Sequence, residues 1–221
     1  MGRERIGWLG GSFDPVHEGH LSIARAAAEA LDLDRVLLVP ARNPPHKTDR
    51  SLAPSADRMA LLLQAVAGDP LLEACDVELR REGLSYSFDT AQQLLAELPD
   101  GVRLYYIIGA DTLADLPNWH RIAELCELVT FCAVARDGVE LDAEPLAALI
   151  GEAGVRRIEQ HCLHLPPHPA SSTAVRAALA ARRRPEHLPP GVWEQIVSRG
   201  LYGAGGRSSS GSSRGSGRSK P

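Results

Sequence analysis

Short apolar runs alternate along this chain with stretches of helical period, and that alternation limits the folds open to it. Ile6–Leu9, Arg35–Pro40, Leu104–Ile108 and Val129–Ala135 are such runs, almost free of charge. Strands that are apolar throughout are buried on both faces, as in parallel sheets covered by crossover helices. Between the first two runs, Leu21, Ala24, Ala28 and Leu31 fall on one stripe, which predicts a helix over 21–31. Repeated as far as about Val175, the pattern predicts an α/β fold, a doubly wound parallel sheet with helices on both faces. Within it the sequence predicts a helix over 56–67 capped by Ser55 and ended by Gly68, and a third strand over 72–80. A helix opens in the segment 84–90 and runs to Leu98, and another, capped by Asn118, contains Trp119. A helix over 141–151, a sixth strand over 155–165 and a small C-terminal helical segment over 192–201 complete the prediction.

The chain's 221 residues have room for one large domain or two small ones, and a single domain is expected over 1–203. From Ala204 onward, 12 of 18 residues are Gly or Ser, with Arg207, Arg214, Arg218 and Lys220 and no acid. Such a composition cannot build a core, so 204–221 is expected to be a disordered Gly/Ser/Arg-rich tail. Those four cations leave the domain at −8, against −4 for the whole chain. A domain of that charge with 5% aromatic residues argues against nucleic acid as substrate. No run of 18 apolar residues exists, which excludes a membrane span of that kind, and the N-terminus leads straight into the first strand. The protein is therefore expected in the cytoplasm. Cys75, Cys126, Cys132 and Cys162 show no Cys-x-x-Cys spacing, sit mostly inside apolar stretches and read as buried reduced thiols. His161, Cys162, His164 and His168 are dense enough to suggest zinc, but Pro166, Pro167 and Pro169 interrupt them, so no metal site is assigned.

The chemistry gathers at the ends of the predicted strands. After the first comes Gly10-Gly11-Ser12-Phe13-Asp14-Pro15-Val16-His17-Glu18-Gly19-His20. Glycines allow backbone amides to approach an anion, and a helix start adds free N–H groups and a positive dipole. His17 and His20 are three apart, which puts both imidazoles on one face of a first helical turn. This is neither a P-loop nor a Gly-x-Gly-x-x-Gly fingerprint. After the second strand comes 41–47, with two prolines and the basic side chains of Arg42, His46 and Lys47. Gly109-Ala110-Asp111 follows the fourth strand, where an acid suits ribose hydroxyls. Near the other end, Ser171-Ser172-Thr173-Ala174-Val175-Arg176 offers hydroxyls, a capped helix start and, one turn on, a guanidinium: a receptor for a polyphosphate.

The string 10–21 resembles the His-x-Gly-His motif of the α/β nucleotidyltransferase superfamily, and in particular the family of bacterial nicotinate-nucleotide adenylyltransferases. The Pro-Pro-His-Lys of 44–47, the Ser-Tyr-Ser-Phe-Asp-Thr of 85–90 and the Ser-Ser-Thr-x-x-Arg of 171–176 resemble it too. Ser87 stands where that family has Thr, Asp137 where it has Pro, and Ala170 where it has Ile. The resemblance covers roughly 5–202. It implies a Rossmann-like nucleotidyltransferase fold and transfer of AMP from ATP to nicotinate mononucleotide, giving nicotinate adenine dinucleotide and pyrophosphate in NAD biosynthesis.

Carried over position by position, the resemblance assigns His17, His20 and Arg176 to catalysis. ATP binding falls to Gly10, Gly11, Ser12, Phe13, His17, His20, Gly109, Asp111, Arg136, Ser172, Thr173 and Arg176. Mononucleotide binding falls to Ser12, His46, Lys47, Ser87, Phe88, Asp111, Trp119 and His120, with Trp119 against the pyridine ring. No Ser-His-Asp set and no cysteine near a motif favours a covalent intermediate, so direct in-line attack is expected. Mg²⁺ is expected to come with ATP, bridging its phosphates. The intact histidines and Arg176 oppose a non-catalytic regulator. The Gly-Gly-Ser-Phe-Asp-Pro start, Pro-Pro-His-Lys, and Gly-Ala-Asp with Trp119 oppose a sister enzyme acting on phosphopantetheine or forming a cytidylyl product. Assembly into a homo-oligomer is left open.

Overall fold

The structure is a computed structural model, and it describes residues 3–44, 52–136 (of Arg136 the backbone only) and 146–204. His46, Lys47, Asp137 and nearly all of the tail lie outside the described residues. Six strands form one parallel sheet: β1 (Arg5–Gly11), β2 (Arg35–Pro40), β3 (Leu72–Ala74), β4 (Arg103–Gly109), β5 (Thr130–Arg136) and β6 (Leu163–Leu165). The spatial order is β3-β2-β1-β4-β5-β6, so the chain winds outward from β1 and then returns to its other side. Between β1 and β4 the winding reverses, and in open α/β sheets ligands bind there, outside the carboxyl ends of the strands.

Strand parity divides the core in two. Ile6, Trp8, Leu37, Val39, Leu104, Tyr106, Ile108, Phe131 and Ala133 face one side, with α3 (Ser87–Glu97), α4 (Ile122–Leu128) and α5 (Ala147–Gln160). Leu9, Val36, Leu38, Tyr105, Ile107, Cys132 and Val134 face the other, with α1 (Glu18–Ala30), α2 (Ser55–Ala65), α6 (Ser172–Ala180) and α7 (Val192–Ser198). Successive side chains of a strand point to opposite faces, so each apolar run supplies both layers. No helix among the described residues is long and apolar enough to cross a membrane.

Several expected elements differ. The first helix begins at Glu18, three residues before the expected start. The third strand stops at Ala74, because the Asp76 carbonyl accepts the amides of Leu79 and Arg80 and turns the chain. Residues 155–160 belong to α5 and not to a strand, their Val155 and Ile158 being spaced for a helix face, and β6 begins only at Leu163. That helix starts at Ala147, while 141–145 lie outside the described residues. Pro54, not Ser55, is the N-cap of α2, and the Ser55 hydroxyl instead accepts a bond from Arg58. Asn118 closes a 3₁₀ segment, Ala110–Asn118, and Trp119 lies in the link before α4, outside both. The final helix ends at Ser198, with a 3₁₀ turn at Leu201–Gly203. Of the four cysteines only Cys132, on β5, is buried; Cys75, Cys126 and Cys162 pack at the edge of a core layer and are half-buried.

Candidate active site

The loop after β1 carries the histidine pair into α1. His17 is the N-cap and His20 the third helical residue, and their rings stack with centroids 3.7 Å apart. The His17 backbone N–H donates to Nδ1 of His20 at 3.2 Å. An imidazole accepting at Nδ1 carries its proton at Nε2, so His20 presents a neutral donor on the opposite edge of the ring. A Cβ at Gly19 would come within 3.0 Å of the His17 Nδ1 and 3.4 Å of the Ala170 carbonyl. That close approach favours glycine there, where the start of α1 meets the segment before α6. The amide of Glu18 donates to the His187 carbonyl at 2.9 Å, so this first helical N–H is held by protein. Phe13 holds a left-handed φ of 45° and puts its ring 4.9 Å from that of His20. Such a conformation costs a bulky residue about 1–3 kcal/mol and persists where surrounding packing enforces it.

The second motif docks on the same loop. Ser171 caps α6 by accepting the Ala174 amide at 3.1 Å, and the Ser172 hydroxyl donates to the Pro15 carbonyl at 3.0 Å. Arg176 donates to the Asp14 carbonyl at 2.6 Å and to the Thr173 hydroxyl at 3.1 Å. The bonds to Pro15 and Asp14 join residues 157 and 162 positions apart. Asp14, 2% exposed, accepts the Ala53 amide and the Tyr202 hydroxyl at Oδ1, at 3.1 and 2.8 Å. Burial and the Asp14 carboxylate hold the Tyr202 phenol well above its usual range, so it stays a donor. Among the described residues no group of three His, Cys, Asp or Glu side chains is placed to hold a metal ion. Two members of the suspected zinc cluster have other work: Nδ1 of His161 pairs with the Arg157 carbonyl and Nδ1 of His168 accepts the Ala170 amide.

Two cavities flank this loop. One, of about 370 Å³, is lined by His17, Gly19, His20, Ile23, Ala26, Leu165, Pro166, Pro167, His168, Ser171 and Ser172, among others. The other, of about 290 Å³, is lined by Gly10, Gly11, Ser12, Ala41, Pro44, Glu78, Ser85, Tyr86, Ser87, Tyr106, Asn118, Trp119 and His120. The structure thus brings Gly10, Gly11, Ser12, Ser87, Trp119 and His120 together in one cavity, and His17, His20 and Ser172 in the other. Thr173 and Arg176 line neither cavity; they follow Ser172 on α6. Gly109 and Asp111 line neither cavity, and the Asp111 carboxylate lies over Gly109 where a Cβ would collide with it. The Phe88 ring lines neither and is 2% exposed in the core, with the Arg121 guanidinium 3.7 Å from its centroid. The side chain of Arg136, with His46 and Lys47, is outside the described residues.

Glu78 and Tyr106, which no motif marks, also line the second cavity. Tyr106 stacks on Trp8 at 3.7 Å and pairs with the Ser87 hydroxyl at 3.0 Å. Glu78, 5% exposed, accepts the Thr90 hydroxyl at 2.9 Å. Burial pushes its carboxyl above the ordinary value, although the hydroxyls of Ser85 and Thr90 and the charges of Arg81 and Arg58 pull the other way. A carboxyl whose folded pKa is raised stabilises most below its unfolded pKa, and that contribution is lost as pH rises through the folded pKa. Glu78→Gln is therefore expected to match wild type near pH ~4 and to melt a few degrees higher at neutral pH. Melting curves at both pH values check this; equal or lower stability of the variant at neutral pH would contradict it.

A doubly wound sheet with two ligand-sized cavities and an imidazole pair at its switch point is the architecture of a nucleotide-handling α/β domain. The pattern of the cytidylyltransferase-like family matches residues 8–178. A relative from Geobacillus thermodenitrificans, named "probable nicotinate-nucleotide adenylyltransferase", is 41% identical over 90% of this chain and 87% of its own length. One of the same name from Halalkalibacterium halodurans is 39% identical over 90% and 91%. The solved nicotinic acid mononucleotide adenylyltransferase of Plasmodium falciparum, complexed with NaAD, superposes with a TM-score of 0.69 at 17% identity, covering 92% of this chain and 99% of that one. The chain belongs to the cytidylyltransferase-like family and, within it, to the nicotinate-nucleotide adenylyltransferases.

Proposed function

We propose that this protein transfers AMP from ATP to nicotinate mononucleotide, forming nicotinate adenine dinucleotide and pyrophosphate by direct in-line attack. The observation that carries this reading is the pair of cavities on the two sides of one loop, each able to seat one nucleotide. In the first, Ile23, Ala26, Pro166 and Pro167 offer apolar surface to a purine, beside His17, His20 and Ser172. In the second, Trp119 offers a ring face to the pyridine, and Tyr86 and Ser87 bring the start of α3, whose amides suit a carboxylate. The resemblance adds His46 and Lys47 for the mononucleotide phosphate.

The 5′-phosphate of the mononucleotide is already anionic at neutral pH, with a second pKa of about 6, so the attack needs no general base. Its oxygen bonds to the α-phosphorus of ATP, the bond from that phosphorus to the bridging oxygen breaks, and pyrophosphate leaves with the electron pair. Holding two anions in line contributes on the order of 7–11 kcal/mol. Nε2–H of His20, with His17 beside it, stabilises charge on the α- and β-phosphates, and Arg176 with Thr173 receives the β,γ-end. Mg²⁺ carried by ATP would offset the charge of the polyphosphate. Asp14, the carboxylate of the loop, is buried with its Oδ1 accepting from the Ala53 amide and the Tyr202 hydroxyl, so it is assigned to holding the loop and not to the cation. The four free cysteines fit a reducing compartment, and we assign the reaction to the cytoplasm.

The test is pyrophosphate release from ATP with nicotinate or nicotinamide mononucleotide, with product masses recorded. A nicotinamide NH₂ facing α3 amides leaves donors opposed, at about 1–3 kcal/mol for each unpaired group. A preference on the order of 10²-fold for nicotinate mononucleotide is expected. Trp119→Ala is expected to weaken both and keep their ratio. Absence of dinucleotide would overturn the reading, and comparable efficiency on both would overturn the acid specificity.

A further inference from the structure

Arg58 is among the largest side chains sealed inside the protein, 1% exposed, and no step of the reaction uses it. Its guanidinium holds three separate stretches of backbone. Nη1 donates to the Ser12 carbonyl at 2.7 Å, Nη2 to the Ala41 carbonyl at 2.8 Å, and Nε to the Ala53 carbonyl at 3.0 Å. Nη2 also reaches the Ser55 hydroxyl at 3.1 Å. Ser12 follows β1 and Ala41 follows β2, and both line the smaller cavity. The peptide after Ala41 is fixed at its other end as well, since the Arg42 amide donates to the Ser85 hydroxyl at 3.1 Å, and Ser85 lines the same cavity.

A buried guanidinium is a poor device for stability alone, because apolar residues of similar volume often do as well or better. Burial works against its charge, which the Asp14 carboxylate chiefly supports. What it supplies that an apolar side chain cannot is a planar fork that fixes the spacing of two strand-end loops. We infer that Arg58 is a positioning residue for the mononucleotide: it holds the loops after β1 and β2 at the separation that grips the acceptor, without touching the acceptor itself. The inference rests on the assignment of the smaller cavity to nicotinate mononucleotide.

Arg58→Lys and Arg58→Gln would be assayed well below their melting temperatures, with activity normalised to folded protein. Displacement of a binding loop by about 1 Å can cost 10²-fold. The expected result is a loss of roughly that size in kcat/KM for nicotinate mononucleotide, smaller in Lys than in Gln, with KM for ATP near wild type. A lowered melting temperature with unchanged kinetics, or equal weakening of both substrates, would overturn the inference. Should neither variant fold, nitrogen-labelled arginine in the wild-type chain gives a second reading. The Arg58 Nε–H resonance is expected to shift when nicotinate mononucleotide is added and to stay when ATP alone is added; an unmoved resonance overturns the inference. Wild-type protein that makes no dinucleotide would remove the functional reading itself, whereas active wild type with normal variants would remove only the role of Arg58.

Discussion

His20→Gln is expected to lower turnover by roughly 10²- to 10³-fold while leaving the melting temperature close to wild type. The His20 ring does two things that the substitution separates. Its Nδ1 accepts the His17 amide, as the third residue of a capping box, and glutamine commonly fills that position. Its Nε2–H is the donor assigned to the transferred phosphate, and a glutamine that caps through Oε1 turns its NH₂ away from the direction of the imidazole Nε2–H. His20→Ala loses both, so it should add about 1 kcal/mol of destabilisation, or roughly 2–4 °C for a domain of this size. Steady-state kinetics with melting curves on both variants decide the matter. Near-normal turnover in His20→Gln would mean that the histidine serves the helix start and not the reaction.

Arg176→Ala is expected to cost a similar 10²–10³-fold in kcat/KM for ATP, and Arg176→Lys not to restore it. The guanidinium spans the Asp14 carbonyl and the Thr173 hydroxyl, which aligns it with the start of α6 and ties that helix to the histidine loop. An ammonium is a point charge and cannot span both in one plane while meeting a phosphate. Nicotinate mononucleotide affinity, titrated without ATP, should change little, because Arg176 shares α6 with Ser172, which lines the larger cavity, and no residue of α6 lines the smaller one. If both ligands weaken equally, the arginine is a strut between Asp14 and α6.

The parallel sheet was legible because its central strands are apolar on both faces, and only a buried parallel strand has use for that. Strand β2 illustrates it: Leu37 and Val39 enter one core layer, Val36 and Leu38 the other. The histidine and Ser-Ser-Thr-x-x-Arg motifs were legible for another reason, since their chemistry sits in contiguous residues. Marginal elements were not. Val155–Leu165 satisfies strand and helix spacing alike over a few residues, and helical contacts of Val155 and Ile158 with the core decide it. The neighbours of Trp119 have helical spacing, whereas Pro117 and the left-handed Arg121 break the chain on either side of it.

Arg58, Asp14 and Tyr202 were missed because their bonds join residues 46 and 188 positions apart, and no local pattern reports such pairs. One signal did exist. Arg58 lies on the same stripe of α2 as buried Leu61 and Leu62, and a charge on a buried stripe needs partners. The separation of the two cavities was likewise invisible, because residues from β1, β2, α3 and the link before α4 converge only in three dimensions.

The central claim is that AMP passes directly from ATP to an acceptor bound on the other side of the histidine loop. The most direct measurement uses an α-thio analogue of ATP of one defined configuration, with nicotinate mononucleotide as acceptor, and reads the configuration at the thiophosphate of the dinucleotide formed. A single in-line displacement inverts it, and inversion is the expected result. Retention would mean two displacements through an adenylylated side chain, and would contradict direct transfer.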